Sequence, residues 1–258
     1  MKYRFFVFIF LFPDLSLLSS PVSFLVQEKE KLIVKKNSEK VFPIASITKL
    51  FTAFTALSLY SSSKVFKVPS SCVIKNSYES RAGLRKNEKF SLMALIEGLL
   101  ISSGNDAACV LAKSYKTGEK GFMEEVNRFV QEKGLKKTRL LEPVGLSSHS
   151  VSSAEELQKI LHELEAYPSL LTILKKKQSL IQSKKGRKIK LVSRQKLFSY
   201  RGYAIFGKTG TTRKAGECFV GFAKRNDKFY YLIFLGSKNV YKDIRKILLK
   251  ISGESSDS

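Results

Sequence analysis

Patterns typical of β-strands stand at both ends of this chain, and patterns typical of α-helices fill the part between them. Short apolar runs occupy residues 23–26 and 31–34 near the amino end, and 202–206, 217–223 and 229–236 near the carboxyl end. Strands so far apart in sequence can still pair, because the two ends of a chain can meet in one sheet. We therefore predict an α/β (α+β) fold whose sheet is assembled from both chain ends around a helical insert.

The insert opens with a strongly apolar helical pattern over residues 46–57, where large apolar side chains recur about every 3.6 positions. Alanines fill the spaces between them, so this helix has little polar surface and we expect it at the centre of the core. Further helical patterns follow over residues 92–100, 106–111, 121–131 and 157–164.

The first 23 residues have the order of a secretory signal. Lys2 and Arg4 precede an eight-residue apolar run at residues 5–12, and small residues follow. The run is too short to span a bilayer, which takes about 20 residues. We expect residues 1–23 to be a signal peptide, with an uncleaved anchor as the alternative.

The charge of the chain is strongly positive. Its 46 lysines and arginines against 22 acidic residues give a net charge of +24, which favours an anionic partner. Residues 175–196 carry ten of these basic side chains and no acid, and we interpret part of this run as an exposed hairpin. No nucleic-acid motif is present and aromatic residues do not interleave the basic run, so we expect no nucleic acid partner.

Cysteine and histidine are scarce. The three cysteines allow at most one disulfide, and the patterns around Cys109 and Cys218 favour buried free thiols. His149 and His162 are the two histidines, too few for a zinc site made of His and Cys, and we expect no metal and no organic cofactor.

Three short motifs each occur more than once. Ser-x-x-Lys occurs at Ser46/Lys49, Ser61/Lys64 and Ser193/Lys196; Lys-Thr-Gly occurs at 116–118 and 208–210; Ser-x-Asn occurs at 103–105 and 237–239. A pattern that recurs so often in a lysine- and serine-rich chain carries little information alone.

Context separates the copies. Ser46 and Lys49 stand at a predicted helix start among apolar residues, where burial would lower the pKa of the lysine and let it take a serine proton. Lys64 stands in a solvated serine run, where no comparable burial is expected. Residues 208–210 lie between two apolar strands, whereas residues 116–118 are expected to be a plain helix end.

One ordered set remains: Ser46-Ile-Thr-Lys49, Ser103-Gly-Asn105 and Lys208-Thr-Gly210. This trio marks penicillin-binding proteins and class A β-lactamases. Residues 83–112 and 208–223 resemble the second and third motif regions of D-alanyl-D-alanine carboxypeptidases of the low-molecular-mass penicillin-binding type. Residues 142–157 resemble the loop and helix between those regions. The resemblance covers about residues 23–251. It implies a β-lactamase/transpeptidase-like fold, with an antiparallel sheet flanked by helices.

The resemblance implies acyl transfer through a serine ester. Ser46 would attack the carbonyl of a peptide that ends in D-Ala-D-Ala, and β-lactam antibiotics would act as inhibitors. Lys49 would be the base, and Ser103 would relay a proton towards the leaving amine. The backbone N–H groups of Ser46 and Thr211 would stabilise the oxyanion.

The remaining site residues would bind substrate. Asn105 would hold the substrate amide or steady Lys49, and Lys208 would place positive charge near the substrate carboxylate. Thr209 and Thr211 would bond that carboxylate, and Gly210 would let the strand backbone approach the substrate. Arg213 would add charge there, or it is a solvated turn residue.

Several expectations depend on departures from the family pattern. Glu142 stands where relatives usually carry Asn; it would either activate a deacylating water or brace its loop. Many relatives continue into a β-rich module, whereas here residues 24–258 are expected to be a single catalytic domain. A class A-like β-lactamase and a DD-endopeptidase remain the alternative functions. We expect an exported protein on the periplasmic or cell-wall side, with an anionic membrane surface as a further partner.

Overall fold

The computed structural model describes residues 21–253. Most of the predicted signal segment therefore lies outside the described residues, and Ser23 already belongs to the first strand. The strands are β1 (Ser23–Glu28), β2 (Lys31–Lys36), β3 (Phe42–Pro43), β4 (Val65–Lys67), β5 (Lys89–Ser91), β6 (Val151–Ser152), β7 (Gln178–Gln182), β8 (Lys188–Val192), β9 (Ser199–Tyr200), β10 (Tyr203–Thr212), β11 (Gly216–Arg225) and β12 (Lys228–Ser237). The α-helices are α1 (Thr48–Leu59), α2 (Leu92–Leu100), α3 (Asn105–Lys113), α4 (Gly118–Glu132), α5 (Ala154–Glu165), α6 (Pro168–Lys175) and α7 (Val240–Ser252).

The largest sheet has the strand order β2-β1-β12-β11-β10-β9, and its neighbouring strands are antiparallel. The first strand of the chain pairs with the last one, with Ser23 opposite Leu235 and Glu28 opposite Tyr230. This pairing confirms the predicted sheet built from both chain ends.

Both faces of this sheet are covered, so its central strands are apolar on both sides. In β12, Leu232 and Phe234 pack in a cluster with α7, whereas Ile233 and Leu235 belong to the larger core shared with the insert. Full burial of one such side chain stabilises the fold by roughly 1.5–3 kcal/mol. The sheet is thereby held as a rigid layer that can position functional groups at its edge.

Helix α1 is central to the larger core, as its sequence predicts, and every residue from Thr48 to Ala56 is buried. Phe54 stacks on Phe129 of α4 at 5.5 Å and meets Tyr167 edge-on at 5.1 Å. The α-helix begins later than predicted, because a 3₁₀ turn over Ala45–Ile47 precedes it. Within residues 21–253, none of the helices combines the length and apolar character needed to cross a bilayer.

The cysteine prediction is half wrong. Cys109 is not a free thiol but forms a disulfide with Cys72, 37 residues away, with the two Cα atoms 5.4 Å apart. The bond forms because the 3₁₀ turn at Ser70–Cys72 packs beside α3, where Lys113 also reaches Ser71. Cys218 is buried and free, as predicted.

The helical insert differs from its prediction in one further respect. Helix α6 has no counterpart among the predicted helices; it begins at Pro168, a residue well suited to the first helical turn. The predicted hairpin in the basic run is present as β7 and β8.

Candidate active site

Ser46 and Lys49 meet at the junction between the 3₁₀ turn and α1. The amine of Lys49 lies 2.9 Å from the Ser46 hydroxyl and donates a second hydrogen bond of 2.7 Å to the carbonyl of Val144. A neutral amine has two N–H donors and one lone pair, so while one N–H stays on Val144 the amine can turn its lone pair to the Ser46 hydroxyl and accept that proton. The pair thus has the geometry of a nucleophile beside its base.

Lys49 is fully buried. Burial disfavours its charged form and lowers its pKa from 10.5 to about 7, against the opposing charges of Glu142 and Asp106. A large share of the amine is therefore neutral near pH 7, the form that can accept a proton.

Ser103 stands on the loop between α2 and α3. Its backbone adopts a left-handed φ of 56°, and its side chain points to Lys208, whose Nζ lies 2.9 Å from Ser103 Oγ. Lys208 also donates to the carbonyl of Thr209 at 2.8 Å. Burial, followed by the neighbouring charge of Lys49, holds the pKa of Lys208 well below its usual value.

The loop around Ser103 is fixed by a buried carboxylate. Asp106 accepts hydrogen bonds from the backbone N–H groups of Ala82, Gly83 and Leu84, at 2.8 to 3.0 Å. Asn105, at the start of α3, donates to Glu79 at 3.2 Å. The segment before β5 is therefore tied to the same loop as Ser103.

Strand β10 brings the third motif against the nucleophile. A β-carbon added to Gly210 would lie 2.9 Å from the Ser46 amide nitrogen and 3.0 Å from the Ile44 carbonyl oxygen. Glycine is needed here because real β-carbons do not come that close to backbone atoms. This contact places the backbone of Thr211 beside that of Ser46.

A cavity of about 480 Å³ opens over these groups. Five of the predicted residues line it, and so do several residues that the motifs do not single out, among them Tyr78, Arg194 and Tyr241. The predicted lining residues are Ser46, Ser103, Thr209, Gly210 and Thr211. Arg213 lies in the exposed turn after β10 and does not line this cavity.

The other motif copies are scattered. Lys64 contacts the Tyr60 ring at 4.0 Å and the Ser114 carbonyl at 3.3 Å, while Ser61 bonds to Ser63. Residues 116–118 join α3 to α4, and residues 237–239 lead into α7. Ser193 and Lys196 do reach the cavity rim, but outside any helix.

Glu142 and the two histidines were the other titratable residues considered from the sequence. Glu142 accepts hydrogen bonds from the backbone of Val144 and Ser147, which braces the loop. His162 lies on α5 beside Glu165 and Tyr231, and neither histidine lines the cavity. Within residues 21–253, no three His, Cys, Asp or Glu side chains gather as a metal ion would require.

Comparison with known proteins gives a consistent family. A family model described as D-alanyl-D-alanine carboxypeptidase matches residues 22–239. A D-alanyl-D-alanine endopeptidase of Escherichia coli is 30% identical over 217 residues, which are 82% of this chain and 69% of that relative. A D-alanyl-D-alanine endopeptidase of Pseudomonas aeruginosa is 35% identical over 148 residues, 56% of this chain and 46% of the relative.

A D-alanyl-D-alanine carboxypeptidase of Bacillus subtilis, DacF, is 26% identical and covers 80% of this chain and 54% of its own length. The chain thus spans about half the length of the first curated relatives that it matches. Among solved structures, the Streptomyces K15 DD-transpeptidase has a TM-score of 0.80 at 24% identity, covering 89% of this chain and 95% of that one. This likeness shows a shared fold.

Proposed function

This chain belongs to the D-alanyl-D-alanine carboxypeptidase family, and from that premise we propose that it is a serine peptidase acting on peptidoglycan stem peptides that end in D-Ala-D-Ala. The observation that carries the proposal is the contact of 2.9 Å between Ser46 Oγ and the fully buried amine of Lys49. A buried lysine with a pKa of about 7 can act as a base at physiological pH.

In the proposed reaction, Lys49 takes the hydroxyl proton of Ser46 while Ser46 Oγ attacks the carbonyl carbon of the penultimate D-alanine. The developing oxyanion is held by the backbone N–H groups of Ser46 and Thr211, each worth about 3 kcal/mol. The C–N bond then breaks, and the proton returns from Lys49, through Ser103, to the amine of the departing D-alanine. Water finally hydrolyses the ester on Ser46.

The substrate's terminal carboxylate is proposed to lie near the end of β10. Thr209 and Thr211 line the cavity there and would bond it, and Lys208 lies behind them on Ser103. Asn105 is proposed to hold the substrate amide, for which it must turn from Glu79. Arg213 lies outside the cavity lining, so any role with the carboxylate requires its turn to move.

The experiment is labelling with a fluorescent penicillin, because a β-lactam would form the same serine ester. Wild-type protein should give a stable adduct that Ser46→Ala abolishes. Rapid turnover of the drug would instead indicate a β-lactamase, and no adduct in the wild type would refute both activities.

An endopeptidase activity is the second candidate, because two of the relatives bear that name. It uses the same acyl-enzyme and differs in the substrate that supplies the carbonyl. Incubation with a purified pentapeptide and, separately, with a cross-linked muropeptide dimer distinguishes them: release of D-alanine supports the carboxypeptidase, and cleavage of the dimer supports the endopeptidase.

We further propose that the protein is exported and meets an anionic membrane surface through the β7–β8 hairpin. Its outer face carries Lys188 and Lys190 next to two exposed aliphatic residues, Leu180 (59% exposed) and Val192 (58% exposed). Basic and aliphatic side chains together favour the boundary of an anionic bilayer. The disulfide supports an oxidising location outside the cytoplasm.

Vesicle sedimentation tests this surface. Binding to phosphatidylglycerol vesicles should exceed binding to phosphatidylcholine vesicles, weaken with salt, and fall in Lys188→Glu/Lys190→Glu. The control Lys224→Glu/Lys228→Glu makes the same charge change on β11 and β12 and should retain binding. Equal loss in both variants would show a general charge effect and contradict the hairpin's role.

A further inference from the structure

The turn over residues 142–147 is shaped by a single carboxylate. Glu142 Oε2 accepts the backbone N–H of Val144 at 2.9 Å, and Oε1 accepts that of Ser147 at 3.1 Å. A carboxylate that binds two backbone donors fixes the turn between them, because both bonds are charge-assisted.

This turn holds the nucleophile and its base from two sides. The carbonyl of Val144 accepts from Lys49, and the carbonyl of Pro143 accepts from Thr52, one turn further along α1, at 2.7 Å. On the other side, Gly145 lies against Ala45, so close that a β-carbon at residue 145 would be 1.9 Å from the Ala45 carbonyl oxygen. Any change in the turn therefore moves the partners of Lys49.

Three titratable groups surround the Lys49 amine, and two of them act on its pKa. Asp106 of α3 and Glu142 of the turn favour its protonated form. The third, Lys208 of β10, faces it across the site, and the charge of Lys49 lowers the pKa of Lys208. Asp106 is buried and already accepts three backbone N–H groups before α2. Glu142 is only half-buried, so its charge can be removed with less disturbance to the core than that of Asp106.

We propose that Glu142 is a positioning residue for the Ser46–Lys49 pair: it shapes the turn that presents the Val144 carbonyl to Lys49. This inference rests on the proposed function. The charge of Glu142 also raises the pKa of Lys49 and so shifts the pH range of acylation, which needs the neutral amine.

The competing role for Glu142 is activation of the water that hydrolyses the acyl-enzyme. The two roles affect different steps, because a positioning residue acts on formation of the ester through Lys49, whereas a general base acts on its loss. Measuring both rates separates them.

The experiment compares wild type with Glu142→Gln and Glu142→Asp. The Gln side chain keeps the length but loses the charge; the Asp side chain keeps the charge but cannot span both backbone donors. Glu155→Gln is the matched control, since Glu155 also accepts two hydrogen bonds, from Ser38 and Lys35, but does not act on Lys49. The rates of penicillin acylation and of adduct loss are measured from about pH 5 to about pH 9, on both sides of neutrality.

In Glu142→Gln, the acid limb of acylation should move to lower pH by about half a unit or more. In Glu142→Asp, the limb should stay near its wild-type position while the plateau rate falls several-fold, and Glu155→Gln should match wild type. An unmoved limb in Glu142→Gln overturns the proposal. So does adduct loss that slows more than ten-fold while acylation is unchanged.

A measurement without penicillin keeps this test independent of the proposed activity. The pKa of Lys49 can be followed by NMR in protein with labelled lysine side chains, with the signal assigned by its loss in Lys49→Arg. The Lys49 pKa should fall in Glu142→Gln relative to wild type. If wild type takes up no penicillin but this shift is observed, the proposed function fails while the link between Glu142 and Lys49 stands; no shift contradicts the link itself.

Discussion

Gly210 of β10 lies against the backbone of Ser46, so that the strand and the turn before α1 touch without any intervening side chain. A β-carbon on residue 210 would be 3.1 Å from the β-carbon of Ala45 and 2.9 Å from the Ser46 amide nitrogen. This contact sets the distance between the two proposed oxyanion donors, the N–H groups of Ser46 and Thr211.

Gly210→Ala should therefore reduce penicillin acylation by about 100-fold, the loss expected when one oxyanion donor is displaced. The melting temperature should fall only modestly, because the added β-carbon would meet the turn at 2.9 to 3.1 Å and a small shift of that turn relieves the contact. Gly207→Ala provides the contrast: its β-carbon would be 2.5 Å from the Val220 carbonyl oxygen inside the sheet, so the melting temperature should fall. Acylation of Gly210→Ala at the wild-type rate would contradict this role of the contact.

The acylation rate should rise with pH through about 7 and level off above it. Protonation of Lys49 at lower pH removes the lone pair that takes the Ser46 proton, and the pKa of Lys49 is lowered by burial to about 7. Stopped-flow measurement of acylation at a series of pH values checks this. A rate that is flat from about pH 5 to about pH 8 would show that another group is the base, because that interval includes the usual pKa range of a catalytic base.

The same burial links stability to pH. The folded-state pKa of Lys49 lies below the unfolded value of 10.5, so the unfolded chain binds more protons between about 7 and 10.5. The free energy of unfolding should therefore rise with pH across that window on account of Lys49. Urea unfolding of wild type and Lys49→Met at the two ends of the window measures this contribution, which should be absent from the variant. An identical slope in the two proteins would be the contrary result.

The repeated Ser-x-x-Lys motif offers an internal control. Lys64 bonds to Ser61 through the backbone, while its amine lies over the Tyr60 ring and donates to the Ser114 carbonyl. Lys64→Ala should therefore leave acylation within about two-fold of wild type, whereas Lys49→Ala abolishes it. Initial rates with fluorescent penicillin decide the matter. Equal loss in both variants would mean that the effect is not specific to the buried pair.

The sequence predicted the contact of Ser46 with Lys49 because helical spacing and apolar context are local properties. It predicted the sheet because strand patterns stand at both ends of the chain. It did not predict that Val144 supplies a carbonyl to Lys49, since a backbone acceptor 95 residues away leaves no mark in residue type. The cavity lining by Arg194 and Tyr241 was missed for a similar reason: neither residue belongs to a motif, and tertiary packing alone brings them to the site.

The disulfide also escaped prediction. Cys72 stands in a polar, irregular segment, and the apolar face of α3 made a free thiol at Cys109 the simpler interpretation. The partner turn comes beside α3 only through tertiary packing. The sequence spacing alone cannot supply this.

Removal of the disulfide should destabilise the fold. Cys72→Ser/Cys109→Ser removes the link between residues 37 positions apart. The unfolded chain then gains loop entropy, which should lower the free energy of unfolding by about 4 kcal/mol. Urea unfolding with and without reductant checks the value. Cys218→Ser should not reproduce the effect. A reductant that leaves wild-type stability unchanged would contradict the disulfide.

Cys218 itself should resist thiol reagents in the folded protein, because burial raises its pKa to about 11.

The central claim is that Ser46 becomes the acyl carrier because Lys49 is beside it in neutral form. The most direct measurement is peptide mapping by mass spectrometry after brief exposure to benzylpenicillin, in wild type and in Lys49→Ala. We predict one penicilloyl group on the peptide that contains Ser46, and none in the variant. An adduct on another residue, such as Ser103, or an adduct on Ser46 that forms equally fast without Lys49, would contradict the account.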